Sequence, residues 1–193
     1  MPADALAKFE AEILPHLDAA FNLARWLMRN EQDAEDVVQE AFLRAFRFFS
    51  GFRGGNAKAW LLRIVRNTSH TRMVTRANRA FQSEGPFNEE EYGPAPESPD
   101  PEKLLLRRDS EKILREAMQD LPAEHREILI LRELEELSYK EIAEVTGVPT
   151  GTVMSRLARA RSGLKVLLMK GIKEKEGAPS AEMADASRRL NDH

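Results

Sequence analysis

The chain has 193 residues, 42% hydrophobic and 32% charged, with a formal net charge of −3, which suits a soluble, helix-rich protein of one domain or two small ones. It has no cysteine, which excludes disulfides, thiolate metal sites and thiol-based sensing within the chain. No apolar run reaches the length of a membrane span, and the start, MPADALAKFEAEILPHL, lacks a basic segment followed by an apolar one, so no secretory signal and a cytoplasmic location are expected.

In chain order, a first helical region covers about residues 3–29, bent at Pro15. A second covers 33–50, where Ala34, Val37, Val38, Ala41, Phe42, Ala45, Phe46 and Phe49 form one apolar stripe at helical spacing, with Asp33 expected as its cap. Asp33, Asp36 and Glu40 share one face of that helix, as either a solvated face suited to a helix N-terminus or a docking surface. Gly51, Gly54 and Gly55 break the pattern, and a third helix runs from about Asn56 to Ala80. Residues 41–83 hold nine basic and no acidic residues. A solvated helix ordinarily mixes both signs for pairing along its surface, so a one-sign segment points to a polyanion, with a phosphate backbone as the first candidate. Trp60 has Leu61, Ile64 and Val65 as neighbours, which favours a core position over base stacking. Phe46 and Phe49 belong to the stripe, whereas Phe48 and Phe52 are freer.

Residues 84–102 hold seven acidic residues, no basic ones and five of the ten prolines, the composition of a self-repelling flexible linker. A helix from about Glu102 to Gln119 ends ahead of Leu121-Pro122. Another runs from about Ala123 to Glu135, with Ile128, Leu129, Leu131 and Leu134 assigned to the core.

The strongest local motif is SYKEIAEVTGVPTGTVMSRLARARSGLK, residues 138–165. Ser138 and Glu141 form a capping box, Gly147 suits a left-handed helix end, and Pro149 suits the first turn of a second helix. Ala143, Gly147 and Val153 supply the small contact, tight turn and inward apolar residue of a helix-turn-helix. Residues 145–173 again carry six basic and no acidic residues. A second helix of this kind enters the major groove, which places Thr152, Ser155 and Arg156 near bases and Arg159 and Lys165 near phosphates. An ordinary helical hairpin with an exposed basic face is the competing description. The tail, 171–193, reads as disordered, with Met183, Ala186 and Leu190 as a weak apolar stripe.

No catalytic constellation is visible, so an enzyme is not expected. His16, His70, His125 and His193 lack ligand spacing, GFRGG lacks the ending of a phosphate-binding loop, and no metal or cofactor is expected.

With the motif placed, residues 10–170 resemble a bacterial RNA polymerase sigma factor of the extracytoplasmic-function class (sigma-70 family group 4). DAEDVVQEAFLRAFR (33–47) looks like region 2.2, FRGGNAKAWLLRIVRNTSHTRMV (52–74) like regions 2.3 and 2.4, and LPAEHREILILRELEELSYKEIAEVTGVPTGTVMSRLARAR (121–161) like region 4. The resemblance implies an all-α chain of two small helical domains: region 2 over 1–82 and region 4 over 103–170, joined by the acidic linker 83–102 and followed by the tail 171–193. It implies a promoter-specificity subunit that binds core RNA polymerase, recognises the minus-thirty-five and minus-ten elements of promoter DNA and assists melting.

By that resemblance the glycine-bounded loop from Phe52 approaches a flipped base. Asn56 and Lys58 offer donors there, Arg63, Arg66, Arg72 and Arg76 track phosphates, and Asn67 shares the face of Arg63. Asp33, Asp36, Gln39 and Glu40 dock on the clamp helices of the largest polymerase subunit, and the acidic segment holding Glu124, Glu127, Glu133, Glu135 and Glu136 meets the flap. Glu89, Glu90 and Glu91 would lie in the RNA-exit path as a nucleic-acid mimic. An anti-sigma factor is an implied partner, and membrane insertion is not. Met154 stands where many members carry a basic residue. Two other classes stay open: a polymerase-independent helix-turn-helix regulator, and an interaction module that sequesters a regulator without touching DNA.

Overall fold

The computed structural model describes residues 3–28, 30–80 and 101–177. Most of the expected linker, with Glu89, Glu90 and Glu91, and most of the tail, with Met183, Ala186 and Leu190, lie outside the described residues. Every regular element among the described residues is helical. Helix α1 (Ala3–Ile13) and helix α2 (Leu17–Met28) are separated by one 3₁₀ turn, Leu14–His16. Pro15 sits in that turn and lacks the donor an unbroken helix would need. Then come α3 (Glu31–Phe48), α4 (Ala57–Ala80), α5 (Pro101–Asp120), α6 (Ala123–Leu129), α7 (Tyr139–Thr146) and α8 (Thr150–Gly177).

The residues fall into two compact units. Residues 3–80 and 122–160 form one, and residues 101–121 and 161–177 form the other. In the first, α2, α3 and α4 pack pairwise into a bundle. Leu23, Val37, Leu61, Leu62 and Val65 are fully buried at its centre, in keeping with a core-facing side of α4 and with the apolar stripe of α3 except at Phe46, which is exposed and meets Phe9 edge-on. Helices α6 and α7 join this bundle against α2 and α4 respectively. In the second unit α5 lies close to the C-terminal part of α8: a Cβ placed on Gly171 would come to 3.0 Å from Ile113 Cγ2, so a side chain there requires Ile113 to shift.

Three local details differ from the expectations. Helix α3 is capped by Asn30 and not by Asp33: Asn30 is extended, and its Oδ1 accepts from the Asp33 backbone N–H at 2.7 Å. Asp33 stands inside the first turn, where its charge faces the positive helix end. Phe52 is not free. It stacks on Phe49 at 5.8 Å between ring centroids and tilts against Trp60 at 5.1 Å. Leu134, expected in the core, is exposed, whereas Glu135 is buried. The cause is backbone geometry: Ile130–Leu134 forms a π-turn in which Glu135 N–H donates to Ile130 O at 3.0 Å. A wider turn rotates the chain less per residue, so the 3.6-residue phase that places Leu134 inside slips through it. Glu136 then takes a left-handed φ of 57° and ends the segment.

The helix-turn-helix follows its motif. Ser138 Oγ accepts from Glu141 N–H, and Glu141 Oε2 accepts from Ser138 N–H at 2.7 Å. Gly147 ends α7 with φ 73°, and Thr152 and Val153 N–H donate to Pro149 O. Ile142, Val145, Val153, Leu157 and Ala160 are buried.

Candidate nucleic-acid interface

Helix α4 starts because Asn56 Oδ1 accepts from Ala59 N–H at 3.0 Å, satisfying one of the donors a helix N-terminus leaves open. The residues expected along the DNA then divide into three groups. Arg63 and Asn67 are exposed on one side of α4. Arg72 and Arg76 turn to α3: Arg72 Nη2 is 2.5 Å from Asp36 and 3.3 Å from Asp33, and Arg76 pairs with Asp33. Two of the residues expected to dock on polymerase are therefore ion-paired to two expected to hold DNA. Of the other two, Gln39 is exposed and Glu40 pairs with Arg44 at 2.5 Å.

The third group faces the segment that opens the helix-turn-helix. Lys58 Nζ lies 2.8 Å from Glu135 Oε2 and also donates to the Glu135 backbone carbonyl at 2.8 Å. Arg66 Nε donates to Glu127 Oε1 at 2.8 Å, and His70 Nε2 lies 3.4 Å from the same oxygen. Asn56 Nδ2 donates to Glu141 Oε1. The hydrogen bonds from Ser138, then the one from Asn56, hold the Glu141 carboxyl below the usual carboxylate range. Glu127 and Glu135 are each only 3% exposed as side chains. These carboxylates, expected from the family resemblance at a polymerase contact, pair instead with α4, which the sequence pattern does not foretell. The available signal was indirect: cations on a helix with no local acid are left to find partners far along the chain.

On α8, Ser155, Arg159 and Lys165 are exposed and Thr152 is half-buried. Ser155 Oγ donates to Thr152 O at 3.0 Å. Arg156 is engaged by Glu124 at 2.7 Å. Met154 is exposed beside Ser155. The described residues contain no cluster of metal-ligating side chains and no helix long and apolar enough to cross a membrane.

Residues 13–79 match the family described as Sigma-70 region 2, and residues 111–164 match Sigma-70, region 4. The chain belongs to the sigma-70 family. This sigma factor is 34% identical over 171 residues to the RNA polymerase sigma-H factor of Pseudomonas aeruginosa, a match covering 86% of this chain and 89% of that protein. It is 39% identical over 140 residues to the ECF RNA polymerase sigma-E factor of Escherichia coli K12, covering 68% of this chain and 72% of the relative. Among solved structures it resembles the sigma factor RpoE of Bartonella quintana, crystallised with the anti-sigma factor NepR, with a TM-score of 0.72 and 32% identity over 84% of this chain and 97% of that one. It also resembles CnrH in complex with the cytosolic domain of CnrY, at a TM-score of 0.58 and 27% identity, covering 84% and 88%.

Proposed function

We propose that this sigma factor joins core RNA polymerase and directs it to promoters by two separate contacts. Region 4, taken as 103–170, reads the minus-thirty-five element through the early residues of α8. Region 2, taken as 1–82, holds the minus-ten element through α4 and the loop before it. The observation that carries this is the order of the two family matches along one chain, each with exposed donors on the helix concerned: Arg63 and Asn67 on α4, and Ser155, Arg159 and Lys165 on α8.

Phosphate contacts position such helices and base-edge contacts give sequence preference. Ser155 and Arg156 stand at the reading end of α8, whereas Arg159 and Lys165 lie farther along, where a helix crossing a groove meets backbone. On α4 the face of Arg63 and Asn67 is open to an unpaired strand, and the Phe52–Trp60 pair beside Asn56 offers an apolar surface for an unstacked base. Asp36, Gln39 and Glu40 on α3 form the docking face for a basic surface of the polymerase, with electrostatic complementarity selecting the partner. The reaction chemistry belongs to the polymerase. An anti-sigma factor is the expected regulator, supported by the anti-sigma complex in which the Bartonella quintana relative was crystallised.

Transcription in vitro from a promoter library, with and without core polymerase, tests this. The expected result is specific initiation that needs both the chain and core enzyme. A specific footprint by the chain alone, with no initiation on adding core, would instead identify a polymerase-independent regulator.

A further inference from the structure

We propose that Met154 reads the C5 methyl group of a thymine in the major groove and so sets one position of the minus-thirty-five preference. This rests on the reading of α8 as the helix that enters that groove.

Successive residues of an α-helix are turned by about 100° around its axis. Val153, Leu157 and Ala160 are buried and fix the inner side of the first turns of α8. Ser155 then stands at the middle of the outer side. Thr152, Arg156 and Arg159 lie to one hand of it, and Gly151, Met154 and Ala158 to the other. The first strip carries hydroxyl and guanidinium groups. The second has no charge and no hydrogen-bond donor in any side chain.

Gly151, Met154 and Ala158 are all exposed, and of the three only Met154 has reach. It is 54% exposed, whereas Val153 beside it is 0% exposed, so the core of the motif does not claim this side chain. Its neighbours one turn away are Gly151 at i−3 and Ala158 at i+4, the two smallest kinds of residue. A Cβ built on Gly151 meets nothing within 4 Å. The thioether therefore has an open flank on the outer surface of the helix, directly beside the residue that leads into the groove.

A thioether can neither pair with a phosphate nor donate to a base edge. The apolar group that bases present in the major groove is the C5 methyl of thymine. Contact between the two removes apolar surface from water, and the flexible, unbranched stem of methionine adapts to it. Ser155 Oγ and Met154 then serve neighbouring base pairs in a single placement of α8. A serine hydroxyl accepts either kind of partner, so the apolar strip supplies a discrimination that the hydroxyl does not.

The test uses the full-length chain with core polymerase. A preferred minus-thirty-five element is first selected from a randomised promoter library by initiation. Each thymine of that element is then replaced singly by deoxyuridine, which removes the methyl group and keeps every hydrogen-bonding atom. At one thymine the replacement should weaken promoter binding by the wild type about fourfold, the effect of one methyl-sized group leaving burial (~0.8 kcal/mol). Met154→Ala should bind the thymine and uracil promoters equally. Met154→Leu, apolar and of similar size, should keep the distinction. A selected element without thymine, or equal binding of all uracil promoters by the wild type, overturns the proposal. So does a uracil effect that survives in Met154→Ala or that Met154→Leu fails to keep. If Met154→Ala weakens capture of core polymerase in the absence of DNA and the wild type shows no uracil effect, the side chain meets the polymerase and the proposal falls. Failure of the wild type to initiate on any library member refutes the promoter reading itself, whereas initiation with no uracil effect refutes the role of Met154 alone.

Discussion

Gly147 and Gly151 lie four residues apart in the helix-turn-helix, and a Cβ built on either meets nothing within 4 Å. Space therefore plays no part in what alanine does at these two positions, and backbone conformation decides the sign. Gly147 holds φ 73° as the C-cap of α7, and forcing an L-residue into that region costs about 1–2 kcal/mol. Stiffening the unfolded chain returns about 0.5 kcal/mol, leaving Gly147→Ala destabilised by about 1 kcal/mol. Gly151 stands in the first turn of α8 with no positive φ, so Gly151→Ala gains about 0.5 kcal/mol from the unfolded-state effect alone. For a chain of this size 1 kcal/mol moves Tm by about 2–4 °C. The expected shifts are about −3 °C for Gly147→Ala and about +1 to +2 °C for Gly151→Ala. Melting can be followed by tryptophan fluorescence, since both tryptophans, Trp26 and Trp60, lie in the same unit as the motif. Shifts of the same sign would show that the turn does not hold the conformation described and would refute the argument.

Asn30→Ala should cost about 1 kcal/mol by removing the cap of α3, whereas a cap at Asp33 would predict no such loss; urea midpoints at constant m separate the two. Burial, then the charge of Lys58, lowers the His16 pKa below its ordinary value of 6.5. The folded state thus binds this proton less readily than the unfolded chain, and the His16 contribution to stability is full above about 6.5 and declines as pH falls below it. Lys58→Met should raise the His16 pKa only part of the way back in an NMR titration, because burial remains. Arg156→Ala should cost about 1–3 kcal/mol on the preferred promoter and relax preference at one position if the side chain reads a base. A uniform loss over all promoter sequences reassigns it to phosphate.

The parts of the fold that were legible from sequence are those set by local rules. Pro15 breaks the first helical region, the capping box and Gly147 frame α7, and the α3 stripe is buried at Ala34, Val37, Val38, Ala41, Ala45 and Phe49, though not at Phe46, which is exposed. The cap of α3 was misplaced because Asn30 and Asp33 are both good capping residues three apart, and only the extended backbone at Asn30 distinguishes them. Leu134 was misplaced because periodicity assumes a constant turn width. The candidate interface was legible as composition and not as pairing. A run without acidic residues marked α4 as a helix in need of anions. That those anions include Glu127 and Glu135 of the same chain depends on packing between segments 57 or more residues apart, for which one sequence holds no signal.

The π-turn at Ile130–Leu134 sets the angular position of everything after it. Each α-helical residue advances the chain by about 100°, so a homologous chain one residue shorter here, running as plain α-helix, would aim position 135 at a different neighbour altogether. The anionic side chain that meets Lys58 is thereby placed by a count of residues as much as by its identity. Lengthening or trimming this stretch by one is accordingly a more drastic change than substituting any single residue within it.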